Sequence, residues 1–386
     1  MKVVMITQDF LPLSGGISRH LMNIYRKYLA SAEFEVIVPD CIGEESDYDD
    51  MPFKVHRTRF APFSLGEERD QANDQILEIL ESSSPDVVLF GYLRSHPEVA
   101  MSYRRRKPGL RSGMLIHGKE AFLDSLVDST HRQSKHKGYT RKEADFYRSA
   151  LEGMDYIFPV SRFSGELLTS QGVNAEMIVL NPSIQVGENV NREEARTEVS
   201  VSSDAYVLLS VGRLIKRKGH KDVVEAVGEL REAIPGLEYV IVGDGPERRN
   251  IEELVTKRGL DDCVRVLPDI TDAALHFYYS ACDVFVLPCR YIPPNDVEGF
   301  GIVFLEAGAH RRACIAGNSG GVPEAVIDGR TGLLVSPGNI SELADKMVQL
   351  YDDADLRFFL GTNAYARVMR QYALKEDDLL KNLFSR

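Results

Sequence analysis

Apolar residues in this chain come in short unbroken runs, separated by longer stretches with a helical period. The first half offers KVVMIT (2–7), FEVIVP (34–39), DVVLFG (86–91), MLIHG (114–118), YIFPVS (156–161) and MIVLN (177–181). The second half offers YVLLSVGR (206–213), EYVIVG (238–243), VRVLP (264–268), VFVLP (284–288), ACIAG (313–317) and GLLVSP (332–337). A half-solvated strand would alternate. Unbroken runs fit parallel strands buried on both faces. Between them, ISRHLMNIYRKYLA (17–30) puts Ile17, Leu21, Ile24, Tyr28 and Leu29 on one stripe, the mark of an amphipathic helix. Strand and helix in alternation predict an α/β chain with crossover connections.

The rhythm breaks once, in the polar stretch SIQVGENVNREEARTEVSVSSDA (183–205), which reads as a linker. A length of 386 residues suits two domains at roughly 100–200 residues each. The expected division is a first domain over 1–190 and a second over 200–365, each a doubly wound, Rossmann-like sheet. Such sheets take ligands beyond the carboxyl ends of their strands. Two of them facing each other would enclose a central cleft.

Composition narrows the class. Hydrophobic residues make up 44% and charged residues 27%, ordinary for a soluble globular chain. No apolar run approaches the ~20 residues of a membrane span, and MKVVMITQDF enters a strand directly, so no signal peptide is expected. Five cysteines, with no C-x-x-C pair, predict a reduced, cytoplasmic protein without disulfides or structural zinc. A net charge of −12 argues against nucleic acid as a partner. Residues 101–150 run against this trend, with 12 Lys and Arg against 5 Asp and Glu. Its basic stretches, YRRRKPGLR (103–111) and HRQSKHKGYTRK (131–142), read either as a solvated face or as a surface for anionic lipid or a phosphate-bearing acceptor. On the second reading the protein sits peripherally at the inner membrane face.

The candidate chemistry lies at strand ends. Gly15 and Gly16 join the first run to its helix, where a close backbone approach and a helix amino terminus suit an anion, although a tight turn explains them as well. Arg213 and Lys218, in the turn that opens at Gly212, could clamp a diphosphate, while Lys216 and Arg217 read as solvated charge. Gly243 and Asp244 end another strand, at a rim or merely in a turn. In DVEGFGIVFLEA (296–307), Glu298 precedes Gly299, Phe300 and Gly301, whose N–H groups could meet an anion or a sugar hydroxyl. Glu298 alone could simply favour a helix amino terminus. Glu306 sits in an apolar helical run and needs a partner, which a pair of ribose hydroxyls would supply. His117 ends a strand; as a lone histidine it reads as structural or as facing a cleft. The pairs Asp47–Asp49 and Asp353–Asp355 are D-x-D patterns in acidic runs and read as solvated charge rather than a metal site. The G-x-G-x-x-G fingerprint of a dinucleotide-dependent dehydrogenase is absent.

Taken in order, G-G at 15–16, H-G at 117–118, G-R-L-x-x-x-K-G at 212–219, G-D-G-P at 243–246, E-x7-E at Glu298 and Glu306 and G-G-V-P-E at 320–324 resemble the retaining GT-B glycosyltransferases of the large family (family 4) that includes phosphatidylinositol mannosyltransferases and sucrose synthases. The resemblance spans nearly the whole chain. It implies a nucleotide-diphosphate sugar as donor and co-substrate, a hydroxyl-bearing acceptor that could be lipid-linked, and no cofactor or catalytic metal. It gives Arg213 and Lys218 the diphosphate, Glu306 the ribose, and Glu298 with the N–H groups of 299–301 the donor sugar. Gly16 would touch phosphate, His117 would lie near the reacting carbon, and 366–386 would form a helix returning to the first domain. PCRYIPPNDVEGFGIVFLEA looks most like the family's GDP-mannose users; UDP-glucose, UDP-galactose and UDP-N-acetylglucosamine stay open. The rivals are a sugar-nucleotide epimerase of the same architecture, which needs no acceptor, and a non-catalytic sugar-nucleotide-binding protein.

Overall fold

The structure, a computed structural model, describes residues 1–12, 15–60, 66–123, 141–187, 190–268 and 270–385. The chain forms two compact units, Met1–Ser183 together with Leu374–Arg386, and Ile184–Ala373.

The first unit holds six strands: β1 (Lys2–Ile6), β2 (Glu33–Pro39), β3 (Lys54–Thr58), β4 (Val87–Phe90), β5 (Arg111–Ile116) and β6 (Tyr156–Pro159). They pair in the order β3-β2-β1-β4-β5-β6, all parallel. The unbroken apolar runs are explained by two cores. Val4, Ile6, Val88, Phe90, Met114 and Ile116 pack on one face of the sheet, and Val3, Met5, Val87, Leu89 and Leu115 on the other. Because side chains alternate across a strand, a sheet covered on both faces must be apolar at every position.

The second unit holds β7 (Tyr206–Val211), β8 (Leu237–Val242), β9 (Val264–Leu267), β10 (Val284–Leu287), β11 (Ala313–Gly317) and β12 (Gly332–Val335). Their order, β12-β11-β10-β7-β8-β9, repeats the order of the first sheet. In both sheets the strand order reverses beside the first strand, between β1 and β4 and between β7 and β10. Ligands bind at that point in doubly wound folds, because loops leave in opposite directions there and open a crevice.

Three elements depart from the sequence reading. β3, KVHRT, was not expected: it is a partly exposed edge strand with Lys54, His56 and Arg57, so it lacks an apolar run. Conversely, 177–181 is not a strand. It lies beside β6, with Ile178 N–H on the Ile157 carbonyl at 2.9 Å, but forms only one bridge, Ile157 with Met177. The proline that ends β6 leaves no donor to extend the ladder. Within the polar stretch 183–205, Arg192–Glu198 is a helix, capped by Asn191, whose side chain accepts from Glu193 N–H at 2.8 Å. Its Arg196 is buried and donates to Asp283 at 2.8 Å, a long-range partner that no local pattern announces. At the carboxyl end, the helix Ala354–Arg367 runs into a wide turn, Val368–Tyr372, and a separate short helix, Leu379–Phe384, follows. Leu380 and Phe384 of that helix lie in the core of the first unit.

No helix among the described residues is long and apolar enough to cross a membrane, and all five cysteines are free.

Candidate active site

In the second unit, three loops leave the strand ends at and beside the reversal point. The first follows β7 and contains the short turn Lys216–Lys218. The second follows β10 and ends at the helix Ile302–Ala309. The third follows β11. The last two loops are pressed backbone to backbone. Gly321 N–H donates to the Glu298 carbonyl at 2.9 Å, and a Cβ on Gly320 (φ +59°) would lie 2.3 Å from that same oxygen. Only glycine fits there, so the G-G of 320–321 fixes the backbone of Glu298.

Glu298 is the centre of the arrangement. Its Oε2 receives the Arg217 guanidinium through Nη1, the Lys218 ammonium at 2.6 Å and the Cys289 thiol at 4.0 Å. Its Oε1 has no partner among the described residues. Burial would push this carboxyl up, but the Arg217 and Lys218 charges outweigh burial and hold it at about 2. Burial also raises the Cys289 thiol to about 11, so it stays a protonated donor. Lys218 is buried. Arg213 is exposed, and its guanidinium has no partner among the described residues.

Arg217 requires a correction. Assigned by sequence to a solvated loop, it is 15% exposed and bridges Glu298 to Asp296, with Nε donating to Asp296 at 2.9 Å. The loop pattern KRK marks three cations alike. Which of them turns inward depends on the turn geometry and on carboxylates some eighty positions away. Lys216 does stay exposed.

Glu306 lies one turn into the helix Ile302–Ala309. It accepts the Tyr279 hydroxyl at 2.8 Å, so the partner that an apolar environment demands is supplied at least in part by the protein. Tyr279 stacks on His310, 5.2 Å between ring centres. His310 Nδ1–H donates to the Glu306 carbonyl at 2.8 Å, and its Nε2 meets His276 at 2.7 Å. Burial holds the His310 imidazole down at about 4, despite the bond to that carbonyl. Tyr279, His276 and His310 were not identified from sequence, because they come from a neighbouring helix and from the far end of the same one.

The N–H groups of Gly299, Phe300 and Gly301 find no acceptor among the described residues, and they stand immediately before that helix. Gly243 is buried, and a Cβ there (φ +145°) would lie 2.2 Å from the Gly212 carbonyl. The loops after β7 and β8 therefore touch directly, tied by Leu214 N–H on the Asp244 carbonyl at 2.9 Å. The Asp244 side chain accepts from Gly245 N–H at 2.8 Å. Gly212, Gly243 and Asp244 thus brace the turn that carries Lys218.

In the first unit, Gly15 caps and Gly16 opens the helix Gly16–Ile24 after β1. His117 follows β5, and its Nε2–H donates to the Gly91 carbonyl, 2.8 Å away, in the loop after β4. The buried His20 ring meets it edge-on at 5.5 Å, and burial first, then the neighbouring His117, keeps His20 well below the usual histidine range.

Two charged surface stretches make local contacts. Much of the basic stretch 103–111 is engaged with neighbours: Arg104 and Arg111 meet Asp155, Arg106 meets Glu81, and Lys107 holds the Pro85 carbonyl at 2.7 Å. The stretch 131–142 lies outside the described residues except for its last two. In the D-x-D patterns, Asp47 accepts from Glu44 N–H at 2.7 Å and Asp353 from Leu356 N–H at 2.8 Å, both as helix caps.

Known proteins resemble this chain in sequence and fold. The family model described as glycosyl transferases group 1 matches residues 191–367, nearly the whole second unit. A GDP-mannose-dependent alpha-(1-6)-phosphatidylinositol monomannoside mannosyltransferase of Mycobacterium tuberculosis is 26% identical over 378 residues, covering 96% of this chain and 94% of that protein. A D-inositol 3-phosphate glycosyltransferase of Pseudarthrobacter chlorophenolicus is 29% identical over 311 residues, 73% of each chain. Among solved structures, Anabaena HepE in complex with UDP superposes with a TM-score of 0.81 at 17% identity over the full length of both chains. With two parallel six-stranded sheets of the same order, the chain has the GT-B fold, and its second unit is similar to the group 1 glycosyl transferases over residues 191–367.

Proposed function

We propose that this protein transfers a hexose from a nucleoside-diphosphate sugar to a hydroxyl acceptor, a glycan or a lipid-linked one, with retention of anomeric configuration and without a catalytic metal. The donor favoured is GDP-mannose. The observation that carries the reading is the state of Glu298: one carboxylate oxygen is held by Arg217, Lys218 and Cys289, while the other, like the N–H groups of the next three residues, has no partner among the described residues. An ionised carboxylate only accepts hydrogen bonds. It repels phosphate and suits a sugar hydroxyl.

The chemistry follows from the charges. Transfer breaks the bond between the anomeric carbon and the leaving phosphate oxygen and forms one to the acceptor oxygen on the same face. The acceptor proton passes to the departing phosphate. Negative charge develops on that phosphate, and fixed cations and N–H groups lower the barrier most where charge appears. Lys218 and the exposed Arg213 fill that role, with the N–H groups of 299–301. Glu306, steadied by Tyr279, takes the ribose hydroxyls. Mannose is favoured by the residues from Pro288 to Ala307 and by the GDP-mannose dependence in the name of the mycobacterial relative. The UDP in the HepE structure keeps uridine donors as the second reading.

A thermal-shift screen with GDP, UDP, ADP, GDP-mannose, UDP-glucose and UDP-N-acetylglucosamine tests this, since a ligand that binds only the native state raises the melting temperature. Selective stabilisation by GDP and GDP-mannose is expected. A response to uridine nucleotides alone would discard mannose, and no response at all would discard the donor site. A stereochemically altered sugar nucleotide formed from donor alone would mean an epimerase.

A further inference from the structure

We infer that Arg217 is a positioning residue for the donor sugar: with Asp296 and Cys289 it locks Glu298 so that a single oxygen, Oε1, is presented to one sugar hydroxyl. The inference rests on the reading of Glu298 as the sugar contact and extends it to a residue outside the motif that suggested that contact.

The geometry is specific. Arg217 reaches across from the turn Lys216–Lys218 and engages two carboxylates of one loop, Asp296 through Nε at 2.9 Å and Glu298 through Nη1. A planar guanidinium with two anchored nitrogens cannot rotate without losing both bonds. The turn itself is fixed to the second loop by Arg290 N–H on the Arg217 carbonyl at 2.8 Å. Lys218 Nζ, at 2.6 Å, and Cys289 Sγ, at 4.0 Å, converge on the same Oε2, and the Glu298 backbone is pinned by Gly321. With backbone and Oε2 both held, the direction of Oε1 is determined.

Lys218 alone would supply a charge but little orientation, because an ammonium on a four-carbon stem is a rotatable point donor. Arg217 supplies the orientation. It is spent on carboxylates, so it does not serve the diphosphate. The exposed Arg213 is the guanidinium available for that. The two arginines of one loop therefore divide the donor between them.

The test compares the parent protein with R217M, R217K, E298Q and the double variant R217M/E298Q. Dissociation constants are measured by calorimetry for GDP and GDP-mannose, or for UDP and UDP-glucose if the parent responds to uridine nucleotides, and transfer kinetics are split into kcat and KM. R217M is expected to leave nucleoside-diphosphate affinity within about twofold while reducing kcat/KM for the sugar nucleotide about ten- to a hundredfold. R217K should recover part of that loss, and R217M should add nothing further in the E298Q background. Equal weakening of diphosphate and sugar nucleotide by R217M, or additivity with E298Q, would overturn the assignment. A normal sugar preference in E298Q would instead remove the Glu298 reading itself, and absence of any nucleotide binding by the parent would remove the donor site. Should R217M not fold, R217K against E298Q carries the comparison: a loss in R217K confined to the sugar nucleotide supports the assignment, and one shared with the free diphosphate overturns it.

Discussion

Replacing Glu298 by glutamine tests the central ion cluster directly. Glutamine keeps the shape and removes the charge, as protonation would. Holding a carboxyl at about 2 rather than 4.5 corresponds to about 3 kcal/mol, at roughly 1.36 kcal/mol per pKa unit. E298Q should therefore lower the stability of the second unit by about 3 kcal/mol near neutral pH. For a unit of this size that is about 6–12 °C in melting temperature. The pH dependence carries a sign. Because the folded-state value is depressed, the contribution is complete above about 4.5 and is lost as pH falls towards about 2. The gap between parent and variant should thus be widest near neutrality and shrink on acidification below about pH 4.5. Calorimetric melts of both proteins between about pH 7 and about pH 3.5 read it out. A gap that does not change over this range, or an E298Q protein as stable as its parent at neutral pH, would refute the claim that Arg217 and Lys218 stabilise the ionised form.

Three further outcomes follow from other contacts. Lys218→Ala should cut kcat/KM about a hundredfold or more, by the loss of one preorganised group at the leaving oxygen; unchanged turnover in a variant with native circular dichroism would remove Lys218 from the clamp. Tyr279→Phe deletes the 2.8 Å bond to Glu306 and should weaken nucleoside-diphosphate binding about three- to tenfold. Calorimetry should find the same change silent in a Glu306→Ala background, and a full effect there would mean that Tyr279 does not act through Glu306. Gly243→Ala places a Cβ 2.2 Å from the Gly212 carbonyl at φ +145° and should cost about 1–3 kcal/mol in urea denaturation, with parental stability as the result that contradicts it.

How much of this was legible depends on the range of the cause. Strand runs such as Val3–Ile6 and Val207–Val211 were visible because burial on both faces leaves its mark on consecutive residues, and the repeating strand–helix alternation carried the fold class. β3 escaped for the converse reason: an edge strand with one partner has a half-solvated composition, and KVHRT resembles a loop. The helix Arg192–Glu198 escaped because its stability comes in part from Asp283, far along the chain.

The same division runs through the site. The sequence alone marked which loops were candidates for the chemistry, since glycines at strand ends and a carboxylate in an apolar helix are local features. It also marked Glu298, Glu306, Arg213 and Lys218 as residues worth a role. Only the tertiary structure decided which cation faces which carboxylate. Arg217 and Lys216 are adjacent and chemically alike in charge, yet one is buried against Asp296 and Glu298 and the other is exposed. Likewise Tyr279 meets Glu306 from a helix 27 positions earlier. Such pairings are set by where the sheet order brings β7 beside β10, and electrostatic energy falls with distance in space, whatever the separation along the chain.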